Sequence, residues 1–274
     1  MLIALWLAFA LAMELTPTEI PQGEVVRFKA SAPAASVRFE GRTMPLFTLS
    51  DGTRHGLVPV PALTTPGSKK VEALDASGKV LDSVTLLVRD GRFRKQNVTL
   101  GKSVTALRAS KQEMETVAAL RSTVSPIRYW TEPFDLPVPG CMTSPYGVQR
   151  LHNGKPTGNY HSGVDQRGAE GVPIRALTAG VVRIVRKFNV HGDMVGIDHG
   201  QGVVSFYLHM SSFATTEGAL VKKGDVIGAV GSTGRSSAPH LHWGLNVHGV
   251  PVNPSQWVKL NACAVPPPKA KRRR

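Results

Sequence analysis

A chain of 274 residues is too long for one small module, and a prior of roughly 100–200 residues per domain divides it in two. Its 42% hydrophobic residues can fill a real core, which excludes a chain disordered throughout. The formal charge of +14 calls for a polyanionic neighbour, yet no recognised nucleic-acid-binding motif accompanies it and no nucleic-acid partner is expected.

Residues 2–13 form an apolar run of about a dozen residues, too short for the roughly 20 that a membrane-spanning helix needs. Followed by Pro17 and Pro21, with Ala10-Leu11-Ala12 as a small-x-small cleavage pattern, it reads as a signal peptide over 1–12. Export turns the search for a polyanion toward cell-wall polymers or membrane surfaces. Residues 18–98 alternate short β-rich runs (25–28, 36–39, 70–74, 83–88) with turn residues such as Asp51-Gly52, Pro66-Gly67 and Ser77-Gly78. About seven strands at 8–12-residue spacing predict an immunoglobulin-like β-sandwich. It holds no titratable cluster and reads as a spacer or binding module.

Residues 99–132 read as a linker. Within it Val104, Leu107, Met114, Val117, Ala118 and Leu120 recur at helical spacing and predict an amphipathic helix over 103–122. A second domain spans 133–259, with strands expected at 179–185, 193–197, 203–208, 226–230 and 241–245, giving an antiparallel sheet and almost no helix. Residues 260–274 are a basic, proline-rich tail, expected to be solvated. Cys141 and Cys263 bracket the second domain. In an exported protein they can form a disulfide, which would stabilise by roughly 4–5 kcal/mol in the chain-entropy model; two buried free thiols are the alternative.

Seven of the nine histidines fall between His161 and His248. His161-Ser162-Gly163-Val164-Asp165 sets an imidazole and a carboxylate four residues apart, a spacing that also fits a plain surface pair. His240-Leu241-His242 is sharper: on a strand both imidazoles project to one face and Leu241 to the other. Two core-facing imidazoles without function would leave ring nitrogens wanting partners. His209 ends a third strand and, alone, reads as structural. Together the segments supply His, Asp and His as zinc donors plus two spare histidines, and three protein ligands with an open fourth position describe a catalytic zinc site. His191, His199 and His248 read as turn or groove-rim residues, and Tyr160 as a cleft-lining one. Gly231-Ser232-Thr233-Gly234 lacks the Lys-Ser/Thr of a phosphate loop and reads as the turn delivering the His240 strand.

Ser144-Pro145-Tyr146-Gly147 with Arg150, and Tyr160-His161-Ser162-Gly163-Val164-Asp165, resemble motifs of the lysostaphin-type (LytM-like) zinc endopeptidase family. So do Tyr207-Leu208-His209, Lys223-Gly224-Asp225-Val226-Ile227-Gly228 and Pro239-His240-Leu241-His242-Trp243. The likeness runs in motif order over about 134–258. It implies a secreted, periplasmic or extracellular enzyme that hydrolyses peptide cross-links of bacterial peptidoglycan, with Zn2+ held by His161, Asp165 and His242. His209 and His240 match the family's two catalytic histidines. One of them, with His240 favoured, would take the proton of a zinc-bound water, and the other would stabilise the oxyanion. The alternative that the resemblance leaves is a non-catalytic regulator that binds wall and activates another hydrolase. A monomer is expected.

Overall fold

The computed structural model describes residues 12–264 except 100, 102, 104 and 105. The expected signal peptide, but for its last residue, and most of the basic tail lie outside the described residues. Among the described residues no helix is long and apolar enough to cross a membrane.

The chain is mainly β, as expected. Nine strands precede residue 90: β1 (Met13–Thr16), β2 (Glu19–Pro21), β3 (Val25–Ala30), β4 (Ser36–Phe39), β5 (Arg42–Pro45), β6 (Phe47–Thr48), β7 (Arg54–Pro59), β8 (Gly67–Leu74) and β9 (Val80–Arg89). The number exceeds the seven expected because strands as short as β2 and β6 show no alternation in sequence. They build two sheets, ordered β1-β3-β7-β6 and β2-β9-β8-β4-β5. Along β3, Val26, Phe28 and Ala30 are buried while Arg27 and Lys29 are exposed, the period of a half-buried strand. These inward side chains share one core with Val37, Phe39, Val71 and Leu86 of the other sheet, so the sheets pack face to face.

Next come β10 (Lys95–Val98) and α1 (Lys111–Arg121). The second domain then contributes β11 (Met142–Ser144), β12 (Gln149–His152), β13 (Lys155–Tyr160), β14 (Val164–Gln166), β15 (Pro173–Arg175) and β16 (Gly180–Phe188). It continues through β17 (Gly192–Gly200), β18 (Val203–Phe213), β19 (Leu220–Val221), β20 (Val226–Val230), β21 (Leu241–Val247) and β22 (Val250–Val252). Residues 95–98, expected with the sandwich, instead run parallel to β12 and form a small sheet with the β12–β13 hairpin. The main sheet is ordered β11-β14-β21-β18-β17-β16-β19, antiparallel throughout, with β20 linking β15 to β18.

Both faces of its centre are covered. Every residue of β17 and the first eight of β18 are buried, the polar Asp193, Asp198, His199, Ser205 and His209 among them. One face packs Val195, Ile197, Val203 and Tyr207 into the main core. The other packs Met194, Val204, Phe206 and Leu208 beneath Val117 and Leu120 of α1. Helix and sheet approach so closely that a β-carbon on Gly196 would lie 2.3 Å from Leu120 Cδ2.

The helix expected over 103–122 is interrupted, because residues 107–110 are not helical and Ser110 N-caps α1, its hydroxyl accepting from Glu113 N at 3.0 Å. Met114, expected on the apolar face, is 56% exposed. Glu113 takes the inward position instead and is fully buried. Its carboxylate accepts from the backbone N–H groups of Asn189 (3.1 Å), Val190 (3.1 Å) and His191 (2.9 Å), and from His191 Nδ1.

The two domains meet through Val25, whose N–H donates to Gln256 Oε1 (2.8 Å) and whose carbonyl accepts from Gln256 Nε2 (2.7 Å). Cys141 and Cys263 are joined as a disulfide beside a parallel bridge between Met142 and Ala262. His199, expected at a turn or groove rim, is fully buried within β17 with Nδ1 on the Ala179 carbonyl (2.8 Å) and Nε2 on Ser205 Oγ (2.7 Å). Its two neighbours satisfy the ring, and burial lowers its pKa to about 4.

Burial alone would raise the Glu113 carboxyl, but the donors of His191 and Val190 outweigh it and hold the group below its ordinary value of 4.5. A depressed carboxyl stabilises the fold above its unfolded pKa and loses that contribution as pH falls through the folded one. Glu113→Ala leaves three loop N–H groups without their acceptor, so it is expected to cost about 3 kcal/mol at pH 7. Urea unfolding of both proteins at pH 7 and near pH 4 checks this: the difference between them shrinks at the lower pH.

Candidate functional site

In the main sheet β14 lies against β21 with Asp165 directly opposite His242, and β21 lies against β18 with Leu208 opposite His242. Alternation along β21 sends Leu241, Trp243 and Leu245 into the core and His242, Gly244 and Asn246 toward a cleft of about 570 Å³. His161 follows β13 and enters the same cleft from the hairpin side.

Three of the expected site residues meet in one triangle. His161 Nε2 lies 3.0 Å from Asp165 Oδ1 and 3.0 Å from His242 Nδ1, and His242 Nδ1 lies 2.8 Å from Asp165 Oδ1. His161 Nδ1 faces the Pro145 carbonyl at 2.8 Å, a contact only an N–H can make well, so its Nε2 presents a lone pair to the triangle. Arg150 donates to the other carboxylate oxygen, Oδ2 of Asp165. Burial would raise the Asp165 carboxyl, and the His161 and His242 imidazoles outweigh that and hold it well below the usual range. Burial lowers His242 to about 4, with the Asp165 hydrogen bond pulling the other way.

His209 and His240 stand beside the triangle, their ring centroids 5.2 Å apart and His209 6.1 Å from His242. His209 Nδ1 bonds the Thr233 carbonyl (2.7 Å) and His240 Nδ1 the Ala238 carbonyl (2.8 Å). Both rings therefore carry their proton on Nδ1 and leave Nε2 as an acceptor. His240 Nε2 lies 3.8 Å from Asp165 Oδ1. Burial, with His242 and His240 nearby, lowers His209 to about 3. Its backbone is left-handed (φ 61°), a conformation that few non-glycine residues adopt. The 231–234 turn thus orients His209 through Thr233, in addition to leading to His240.

Three lone-pair atoms about 3 Å apart repel unless a proton or cation lies among them. Tetrahedral zinc, with donor distances of about 2.0–2.2 Å, sets its ligands roughly 3.3 Å apart, so this triangle fits such an ion. Two of the three are also held from behind, His161 by the Pro145 carbonyl and Asp165 by Arg150, as metal ligands ordinarily are.

Tyr160 and His191 line the cleft as expected, whereas His248 sits in the β21–β22 turn away from it. Other lining residues carried no assigned role in the sequence: Arg121 of α1, Arg108, and Arg235 after the 231–234 turn, while Val117, expected only on the apolar face of the helix, lines the cleft as well. The linker thus forms one wall of the cleft and the β12–β13 hairpin another. The signal that existed was Ser110-x-x-Glu113, an N-cap pattern that marked where α1 begins but not what it leans on.

A model described as Peptidase family M23 matches residues 159–254, the segment holding all five expected site residues. A DD-carboxypeptidase/endopeptidase of Neisseria meningitidis, Mpg, is 42% identical over 113 residues, 41% of this chain and 26% of that protein. The peptidoglycan DD-endopeptidase ShyA of Vibrio cholerae is 37% identical over 112 residues, again 41% of this chain and 26% of the relative. The chain therefore spans about a quarter of the length of these curated relatives. A crystal structure from Pseudomonas aeruginosa assigned to peptidase M23 superposes with a TM-score of 0.65 at 25% identity, covering 86% of this chain and 93% of that one.

Gly163 keeps the His161 loop tight against β21: a β-carbon there would lie 2.3 Å from the Trp243 carbonyl oxygen and 2.9 Å from His242 Nε2. Gly163→Ala must push backbone away, so it is expected to lower stability by about 1–3 kcal/mol, read by thermal unfolding.

Proposed function

With residues 159–254 placed in peptidase family M23, we propose that this chain is a zinc-dependent endopeptidase hydrolysing the peptide cross-links of bacterial peptidoglycan. The observation that carries the reading is the triangle of His161 Nε2, Asp165 Oδ1 and His242 Nδ1, a donor set suited to zinc and open toward the cleft. The names of the Mpg and ShyA relatives support the substrate. The disulfide between Cys141 and Cys263 supports work outside the reducing cytoplasm, in the periplasm or beyond.

Bound zinc supplies Lewis acidity and a water acidified toward a pKa of about 7. The protein's own groups do the rest. Arg150 fixes the Asp165 carboxylate, and the Pro145 carbonyl fixes the His161 ring, so the donors are aligned before metal arrives. His240, nearer the triangle and with a bare Nε2, accepts the nucleophile's proton and returns it to the leaving amine. His209 has its Nδ1–H committed to Thr233, so it reaches a developing oxyanion as a donor only when Nε2 is protonated. In the neutral state it orients a proton-bearing group instead.

Metal analysis is expected to find one zinc per chain. His242→Ala is expected to lose that zinc, whereas His240→Ala keeps it and cleaves about 10²–10⁴-fold more slowly. The test is mass spectrometry of fragments released from purified sacculi of several wall types. A zinc-loaded chain that leaves every peptide cross-link intact would falsify the proposal.

A further inference from the structure

Five cationic side chains, Arg108, Arg121, Arg150, Lys155 and Arg235, line the cleft shared by His161 and His242, and no aspartate or glutamate is among the described lining residues beyond Asp165 at the triangle. Like charges gathered in one concavity repel, and they are tolerated where an anion enters. Arg150 is already paired with Asp165. Arg121, Lys155 and Arg235 form no ion pair with any described residue.

Two of these are held in place with donors to spare. Arg121 ends α1 with its guanidinium over the Phe206 ring at 5.7 Å, and Nε meets the Asn246 amide oxygen at 3.3 Å once that amide is turned. Its terminal amino groups bond to no described residue. Arg235 gives one terminal amino group to the Leu107 carbonyl (2.6 Å), while its buried Nε has no partner. Both arginines line this one cleft together with Val190 and His191, and the Arg235 backbone N–H donates to the Val190 carbonyl at 2.9 Å. That region adjoins the site, because the His191 carbonyl accepts the His209 backbone N–H at 3.1 Å.

We propose that Arg121 and Arg235 form a carboxylate-binding subsite, so that the cleft selects peptides carrying free carboxylates over neutral ones. Planar guanidiniums with uncommitted N–H groups match a carboxylate in both charge and geometry. Arg121 makes the linker helix a substrate-binding wall, and the two arginines are specificity-determining residues. The inference rests on the peptidase reading only in taking the bound peptide to be the one that is cut.

The test measures binding apart from cleavage. Fluorescence anisotropy compares the full chain's affinity for a short glutamate-containing peptide with a free C-terminus and for its glutamine, C-terminally amidated counterpart. The acidic peptide is expected to bind about tenfold more tightly at low salt, and the ratio to fall as NaCl rises. Arg121→Gln and Arg235→Gln each shrink the ratio, the double variant erases it, and Arg235→Lys retains part of it as a charge without the fork. Should Arg235→Gln fail to fold, Arg121→Gln and Arg235→Lys give the same reading. Equal binding of the two peptides by the unmodified chain, or a ratio that survives in folded variants, overturns the proposal. Sacculus hydrolysis is scored separately, so a chain that binds the acidic peptide selectively yet cuts nothing overturns the endopeptidase reading alone.

Discussion

Asp165 and His242 face each other across one rung of the β14–β21 ladder. A slip of one residue would turn His242 into the core and set Leu241 or Trp243 toward the cleft, exchanging apolar burial for solvated imidazole. Burial of Leu241, Trp243 and Leu245 therefore fixes the register, and the register fixes the carboxylate–imidazole contact. Chemistry at this site is thus specified by packing on the opposite face of the same strand. The hairpin then needs only to bring His161 over, which Gly163 allows by letting the backbones touch.

The sheet also owes its second covered face to the linker. Val117 and Leu120 seal the apolar side chains of β17 and β18 that a lone sheet would expose. Glu113 fastens the helix at its start by capping the loop between β16 and β17. One segment therefore completes a core and walls a cleft, so the linker and the second domain behave as a unit. The sandwich is joined to it through the Val25 backbone and the Gln256 side chain, the Gly23 carbonyl and the Asn253 N–H, the Arg27–Glu132 ion pair and a few apolar residues of the main core.

Much of this was legible beforehand where a local rule governs. His-x-His on a strand reads as two rings on one face because the strand period is two, and the β-rich runs at 193–197 and 203–208 marked the two central strands. Elements that failed to show were those decided by distant partners. Glu113 carries no local sign of its role because the backbone N–H groups that donate to it lie more than 75 positions away. His199 reads as a surface histidine until Ala179 and Ser205 are seen to enclose it. Residues 95–98, Lys-Gln-Asn-Val, carry no alternation that would assign them to a sheet, and only the parallel pairing with β12 reveals which one recruits them. Arg121 and Arg235 went unassigned in the sequence, since nothing local announces that the chain folds both into one cleft.

The bond between Cys141 and Cys263 ties together points 122 residues apart, next to the Met142–Ala262 bridge. It gives the second domain a mechanical short circuit. A pull applied to the chain ahead of Cys141 and beyond Cys263 is carried across the sulfur link and never runs through the loop that holds the site. Tension along that path bypasses the covalent loop of residues 142–262, on which His161, Asp165, His209, His240 and His242 all lie.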